Sequence, residues 1–383
     1  STQALKSVVF DLSRLTVSKV RMAGARGTKF RQSPTKLTVL PLTPIPAETE
    51  FTFTIEYAGA PRPRRTQWGL VGWEELADGV LVASQPTGAP SWFPCNDTVG
   101  DRATFSIQVA VDQAYSVIAN GELVQHRVAS GWGHWHYRQE LPTSTYLATV
   151  QIGRYELEAT PFGTLAYPLP LRTRVHADVA AIPAMMALFE DRFGPYPFPS
   201  YSIVVTPDDL EIPLEAQGLA IFGANHIDGH GVLERLVAHE LAHQWFGNSV
   251  GLARWQDIWL NEGFACYAEW LWSEHNGGPS ADTMATQARR RLTIEPADLV
   301  IGNPGPALMF DDRVYKRGAL TLHAVRTAIG DTSFFDLMRT WTAEHRFSTV
   351  TTDDFRRLTA SFSDVDLEPI FDRWLFATAV PRR

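Results

Sequence analysis

The first 160 residues alternate apolar and polar side chains in short runs. Ser7–Leu12, Leu15–Val20, Lys36–Leu40, Glu50–Tyr57, Ala103–Val109, Trp132–Arg138 and Leu147–Ile152 carry this two-residue period, which places successive side chains on opposite faces of a strand. Asp78-Gly79, Asn120-Gly121 and Ser130-Gly131 punctuate them as turns. Near Thr160–Pro170 the period changes. Ala177–Phe193, Gly231–Phe246, Asp257–His275, Ala281–Leu292, Tyr315–Ile329, Ser333–His345 and Thr352–Phe362 repeat apolar positions every three to four residues and predict helices. Thr352, Asp353 and Asp354 suit a helix start, and the β-branched run Tyr201–Thr206 predicts a strand. The pattern is that of an α+β chain. An N-terminal antiparallel β-sandwich or saddle is expected over residues 1–160, and an α-rich domain over 161–383.

Composition narrows the partners. The chain has 383 residues, 45% hydrophobic and 20% charged, which suits a large core and excludes a disordered or low-complexity protein. Against 34 basic residues stand 42 acidic ones, a net charge of −8, so no nucleic-acid partner is expected. No apolar run approaches the roughly 18–20 residues that span a bilayer, and the first residues lack a basic-then-apolar leader pattern, so no membrane partner is expected. Two cysteines, Cys95 and Cys266, provide no disulfide framework. A reducing compartment fits, and a cytoplasmic location is expected. The basic run Pro61–Arg65 reads as a solvated loop between strands, and Arg289–Arg291 as a solvated helix surface.

The chemistry concentrates in His239-Glu240-Leu241-Ala242-His243. Two histidines four apart in a helix project from one face, one turn apart, and both imidazoles reach one Zn²⁺. Glu240 lies beside the first of them, where a carboxylate acts as general base toward water on the metal. A catalytic zinc needs a third protein ligand and an open position. Eighteen residues separate His243 from Glu262, enough to end one helix and begin another that returns a carboxylate to the metal.

The set His-Glu-x-x-His, eighteen residues, then Asn261-Glu262-Gly263-Phe264-Ala265 resembles the aminopeptidase N family of gluzincin zinc metallopeptidases. The likeness continues through His243–Asn248, Asp257–Leu260 and Val314–Ala319, with Arg317 where the family has Lys. Trp92–Asp97, Asn120–Leu123 and Ser144–Ala148 extend it into the first half. The resemblance implies a thermolysin-like catalytic domain, mostly helical with a small mixed sheet. It implies one Zn²⁺ per chain on His239, His243 and Glu262, with Glu240 as base and Tyr315 assisting the oxyanion. It further implies hydrolysis of the N-terminal residue from peptides with a free N-terminus, the amine held by Glu215 and Gln85.

The pattern also departs from the family. The amine motif Gly-x-Met-Glu-Asn becomes Ile212-Pro213-Leu214-Glu215-Ala216, where only the glutamate survives. Glu215 also neighbours Asp208, Asp209 and Glu211, so a solvated acidic loop is its competing reading. Gln85 competes with an ordinary loop glutamine, and Tyr315 with a packed aromatic at a helix start. A zinc endopeptidase and a non-catalytic scaffold stand as the alternatives. Neither the family's first strands nor its helical C-terminal domain is expected here. His134 with His136 reads as a surface pair, and His226 with His230 as loop residues flanked by glycine.

Overall fold

A computed structural model describes residues 2–25 and 27–381. The first half is built from antiparallel sheets. Val8–Asp11, Lys36–Pro41 and Thr28–Gln32 form one sheet, beside the ribbon Thr16–Met22 with Phe53–Ala58. Leu12, Leu15, Val17, Val20, Leu37 and Val39 close a small core between them. A five-stranded sheet follows, ordered Ser116–Ala119, Val150–Gly153, Gly79–Ala83, Gly69–Leu76, Arg64–Thr66. A three-stranded sheet, Glu122–Ala129, Trp132–Ser144, Arg102–Asp112, packs near it over Trp135, Tyr137 and Val117.

The turn signals fall where the backbone needs them. Ser130 (φ 53°) and Gly131 (φ 81°) both occupy the left-handed region that a two-residue hairpin of this twist requires. The Pro61–Arg65 run is not the loop expected of it throughout. Arg64 and Arg65 lie on the edge strand, and Arg64 donates to the Thr87 carbonyl and sits 3.8 Å from Asp97. A guanidinium with two partners is held in the sheet rather than solvated.

The second half is organised on a mixed sheet ordered Glu156–Thr160, Gly163–Tyr167, Ser202–Val205, Leu219–Phe222, Leu214–Ala216. Its three middle strands are parallel, and its outer strands antiparallel. Glu156–Thr160 pairs with Gly163–Tyr167, so residue 160 falls within a hairpin of this sheet. Ile203–Val205 and Leu219–Phe222 are fully buried, as parallel strands covered on both faces are. One face packs on helices through Leu165, Ile203, Val205 and Phe222. The other, through Ala166, Val204, Leu219 and Ile221, packs on Leu81 and Ile118 of the five-stranded sheet.

The helices are α1 (Arg172–Val179), α2 (Ile182–Phe193), α3 (Glu234–Ala242), α4 (Trp259–His275), α5 (Ala281–Leu292), α6 (Gly305–Leu308), α7 (Asp312–Ile329), α8 (Asp331–Glu344), α9 (Thr352–Ala360) and the single turn α10 (Glu368–Phe371). The single helix expected over Ala177–Phe193 is two, because Pro183 lacks the N–H that a continuous helix would bond to Val179. α9 is capped one residue earlier than the sequence suggests. Thr351 and Asp354 form a reciprocal capping box. α3 stops at Ala242 instead of Phe246. From Asn248 the backbone bonds widen to five residues, Asn248 N–H to His243, Ser249 to Gln244 and Val250 to Trp245, and Gly247 (φ 117°) permits the unwinding. No helix among the described residues is long and apolar enough to cross a membrane.

Candidate metal centre

α3 carries His239 and Glu240 in its last turns, and His243 is the residue that ends it. α4 crosses α3 and brings Glu262 from its first turn. Glu262 Oε2 lies 3.5 Å from Nε2 of both His239 and His243. The two rings stand 4.7 Å apart, nearly perpendicular. All three residues are buried. Each offers a ligand atom within 4.8 Å of the others.

The remaining ring nitrogens are engaged. His239 Nδ1 lies 2.8 Å from Glu269 Oε1, and His243 Nδ1 is 3.0 Å from the Phe246 carbonyl oxygen. Both contacts leave Nε2 facing Glu262, the tautomer a metal ligand needs. Two imidazoles and one carboxylate on fixed elements match a catalytic zinc set with one position open. Glu215, Glu240 and His243 form the only other such grouping among the described residues, and it shares the same cavity.

That cavity, about 160 Å³, brings together the residues that the resemblance implies for metal, base, oxyanion and amine. Gln85, Glu215, His239, Glu240, His243, Glu262 and Tyr315 all line it. Glu215 is not part of a solvated loop. It sits half-buried on the edge strand Leu214–Ala216, and the Gln85 amide donates to its Oε1 at 2.6 Å. Tyr315 lies in the first turn of α7, which begins at Asp312 under an Asp311 cap, three residues before the expected start. Its ring is 6.1 Å from that of His239 at 20°. His136 bonds Ser106 at the surface, and His226 accepts from the Gly223 N–H, so neither histidine pair builds a second centre.

Burial and neighbours divide the charges. Burial disfavours the Glu262 anion, but His243 and His239 overcome it and hold the carboxyl at about 2. Burial likewise opposes protonation of the histidines, and their carboxylate partners outweigh it, raising His239 to about 10 and His243 to about 9. A metal cation bound here therefore displaces protons from the imidazoles. Burial raises Glu240, with the histidines opposing it. Burial also lifts Glu215 to about 7. Tyr315 is pushed well above its ordinary value by burial and by Glu262, Glu215 and Glu240, so its hydroxyl keeps its proton.

Four supporting side chains were given no role by the sequence reading. Glu269 stands seven residues beyond Glu262, two turns along one face of α4, and that spacing within an apolar helix was its signal. Gln244 and Asn248 both donate to the Ala216 carbonyl, and Gln244 accepts from the Gly218 N–H, tying the Glu215 strand to the end of α3. Arg102 donates to the carbonyls of Pro142, Ser249 and Ser348 and to the Gln217 side chain, joining the β unit to that strand. Nothing in local sequence marks Arg102, because its partners are distant carbonyls.

Comparison with known proteins agrees with this geometry. Residues 178–374 match the peptidase family M1 domain, and residues 1–147 the peptidase M1 N-terminal domain. An M1 zinc metallopeptidase from Deinococcus radiodurans superposes with a TM-score of 0.89 at 30% identity, over 100% of this chain and 88% of that one. A mutant of it, bound to a Tyr-Ser-Ala substrate, gives 0.91 at 29% identity with the same coverage. Human endoplasmic reticulum aminopeptidase 1 is 26% identical over 96% of this chain and 43% of its own length. Glutamyl aminopeptidase of Bos taurus is 26% identical over 87% and 38%. The chain thus spans less than half the length of these two relatives. By its two domain matches and its full-length structural likeness, this chain belongs to peptidase family M1.

Proposed function

We propose that the chain is a zinc-dependent aminopeptidase that removes the N-terminal residue from peptides with a free α-amine. His239, His243 and Glu262 hold the metal. Bound there, zinc polarises the scissile carbonyl and acidifies water. Glu240, kept out of bulk water and beside the cluster, takes a proton from the attacking water and later returns it to the leaving amine. Tyr315, whose hydroxyl retains its proton, donates to the developing oxyanion. Glu215 and Gln85 receive the substrate's ammonium group, which places the bond after the first residue over the cluster.

The observation that carries the reading is the Gln85–Glu215 hydrogen bond at one wall of the cavity that His239, His243 and Glu262 also line. A peptide with an uncharged interior amide at that wall would leave the carboxylate without a cation. The relatives named as aminopeptidases support it. We also propose action in the cytoplasm, consistent with two free, buried thiols, Cys95 and Cys266. Chelation tests the metal. An aminoacyl reporter should be hydrolysed, lose its turnover after chelation, and regain it with zinc. Full activity in the metal-stripped protein would refute the proposal.

A further inference from the structure

Arg317 is where this chain departs from the family's Tyr-x-Lys-Gly pattern, two residues after Tyr315 on α7. The side chain is buried and meets five backbone carbonyls. Nη1 donates to Leu299 at 3.0 Å and to Thr378 at 2.9 Å. Nη2 donates to Trp374 at 2.8 Å, to Ala377 at 2.7 Å and, more weakly, to Arg373 at 3.4 Å. Burial, with Arg313 adding to it, lowers the guanidinium only to about 10, so it keeps its charge at neutral pH.

Four of these carbonyls belong to one stretch. α10 runs on into a wide turn, Asp372–Phe376, closed by the Ala377 N–H on the Asp372 carbonyl. The last carbonyls of a helical segment lack partners within it and carry the negative end of its dipole. Arg317 caps them from another helix. Its fifth acceptor, Leu299, lies between α5 and α6, and the Gly302 N–H three residues on donates to Leu375 at 2.9 Å. A lysine could not span this set, because its donors sit on one nitrogen, whereas the guanidinium spreads them in a plane. The first two turns of α7 are therefore held from two sides. Gly318 packs on Gly263 of α4, Arg317 grips the stretch after α10, and Tyr315 stands between them in sequence and the metal ligands.

We propose that Arg317 is a positioning residue for peptide hydrolysis, fixing the start of α7 so that the Tyr315 hydroxyl meets the developing oxyanion. The inference rests on Tyr315 as the oxyanion donor and holds for a free or a blocked N-terminus. The Tyr315 ring lies 6.1 Å from that of His239, so a shift of α7 moves the hydroxyl relative to the metal cluster. A misplacement of about 1 Å at a reacting group costs up to about 10²-fold in rate. The loss falls on the transition state, so kcat and kcat/KM drop together while KM stays.

A double-mutant cycle tests it. Arg317→Lys and Arg317→Met are made in the wild-type and Tyr315→Phe chains, and kcat, KM and zinc content are measured on a free peptide and on its N-acetylated form. Arg317→Lys should lower kcat about tenfold in the wild type, with KM and zinc unchanged, and by less than about twofold in Tyr315→Phe. Arg317→Met should lower it further. Gly302→Ala approaches from the other end. A Cβ there would stand 2.6 Å from the Phe376 ring and displace the capped stretch without touching α7. It should show the same dependence on Tyr315, and it decides the matter if Arg317→Met does not fold. Equal losses in the two backgrounds, or unchanged kcat in both Arg317→Lys and Gly302→Ala, would overturn the positioning role. Cleavage of the acetylated peptide as readily as the free one would overturn the aminopeptidase reading alone.

Discussion

Glu240 and Glu262 share one cavity and one kind of side chain, yet their protonation diverges. Burial pushes both carboxyls up, and only Glu262 accepts hydrogen bonds from two histidines strong enough to reverse the effect. On the proposed mechanism the pair separates into an anion for the metal and a base that exchanges its proton. Glu240→Gln should keep about one zinc per chain and lose turnover by ~10²–10⁴-fold, as metal analysis beside a peptide assay will show. Tyr315→Phe should lower kcat and kcat/KM together by roughly 10²–10³-fold, the loss of one oxyanion donor. A change in KM alone would make Tyr315 a packing residue. Asp97 is a separate case in the β unit. Burial raises it to about 6, with Thr145 and Arg64 only partly compensating. From about pH 6 down to about 4 the folded chain holds a proton that the unfolded chain has released, so acidification over that window adds stability. The gain approaches about 2–3 kcal/mol. Denaturant melts should find that Asp97→Asn lacks this increment.

Among the elements, α4 and α7 form the crossing on which the site depends. Gly263 follows the ligand Glu262, and Gly318 lies three residues past Tyr315. A Cβ on either glycine would stand 2.7 Å from the other's Cα, backbone against backbone. Gly263→Ala should therefore cost roughly 1–3 kcal/mol in a melt, as overpacked cores do, and should weaken zinc binding by moving Glu262. Much at this scale was legible beforehand. α4 and α5 run within two residues of their apolar periods, and the His-Glu-x-x-His stretch closes a helix, with His243 as its C-cap. The strands at Thr28–Gln32, Gly69–Leu76 and Leu219–Phe222 were not, because their side chains follow distant sheet partners more than a local alternation. The early end of α3 was equally hidden. It goes with wide bonds from Asn248 and Ser249 to the carbonyls of His243 and Gln244 just past the helix, which a period count cannot see.

At the scale of the whole molecule, the β unit completes the site. Gln85 reaches from it to Glu215, Arg102 grips the loop beyond α3, and Leu81 and Ile118 pack on the back of the mixed sheet. Sequence placed Gln85 in the site by resemblance. The hydrogen bond to Glu215, and the clamp of Gln244 and Asn248 behind it, needed the folded chain. The decisive measurement compares kcat/KM on free and N-acetylated forms of one peptide, in the wild-type chain and in Glu215→Ala. The account predicts that the wild type cleaves the free peptide and refuses the acetylated one. Glu215→Ala should retain zinc and lose about 2–5 kcal/mol on the free peptide, the cost of truncating one partner of a buried charge pair. Equal cleavage of both peptides, unaffected by Glu215→Ala, would contradict it.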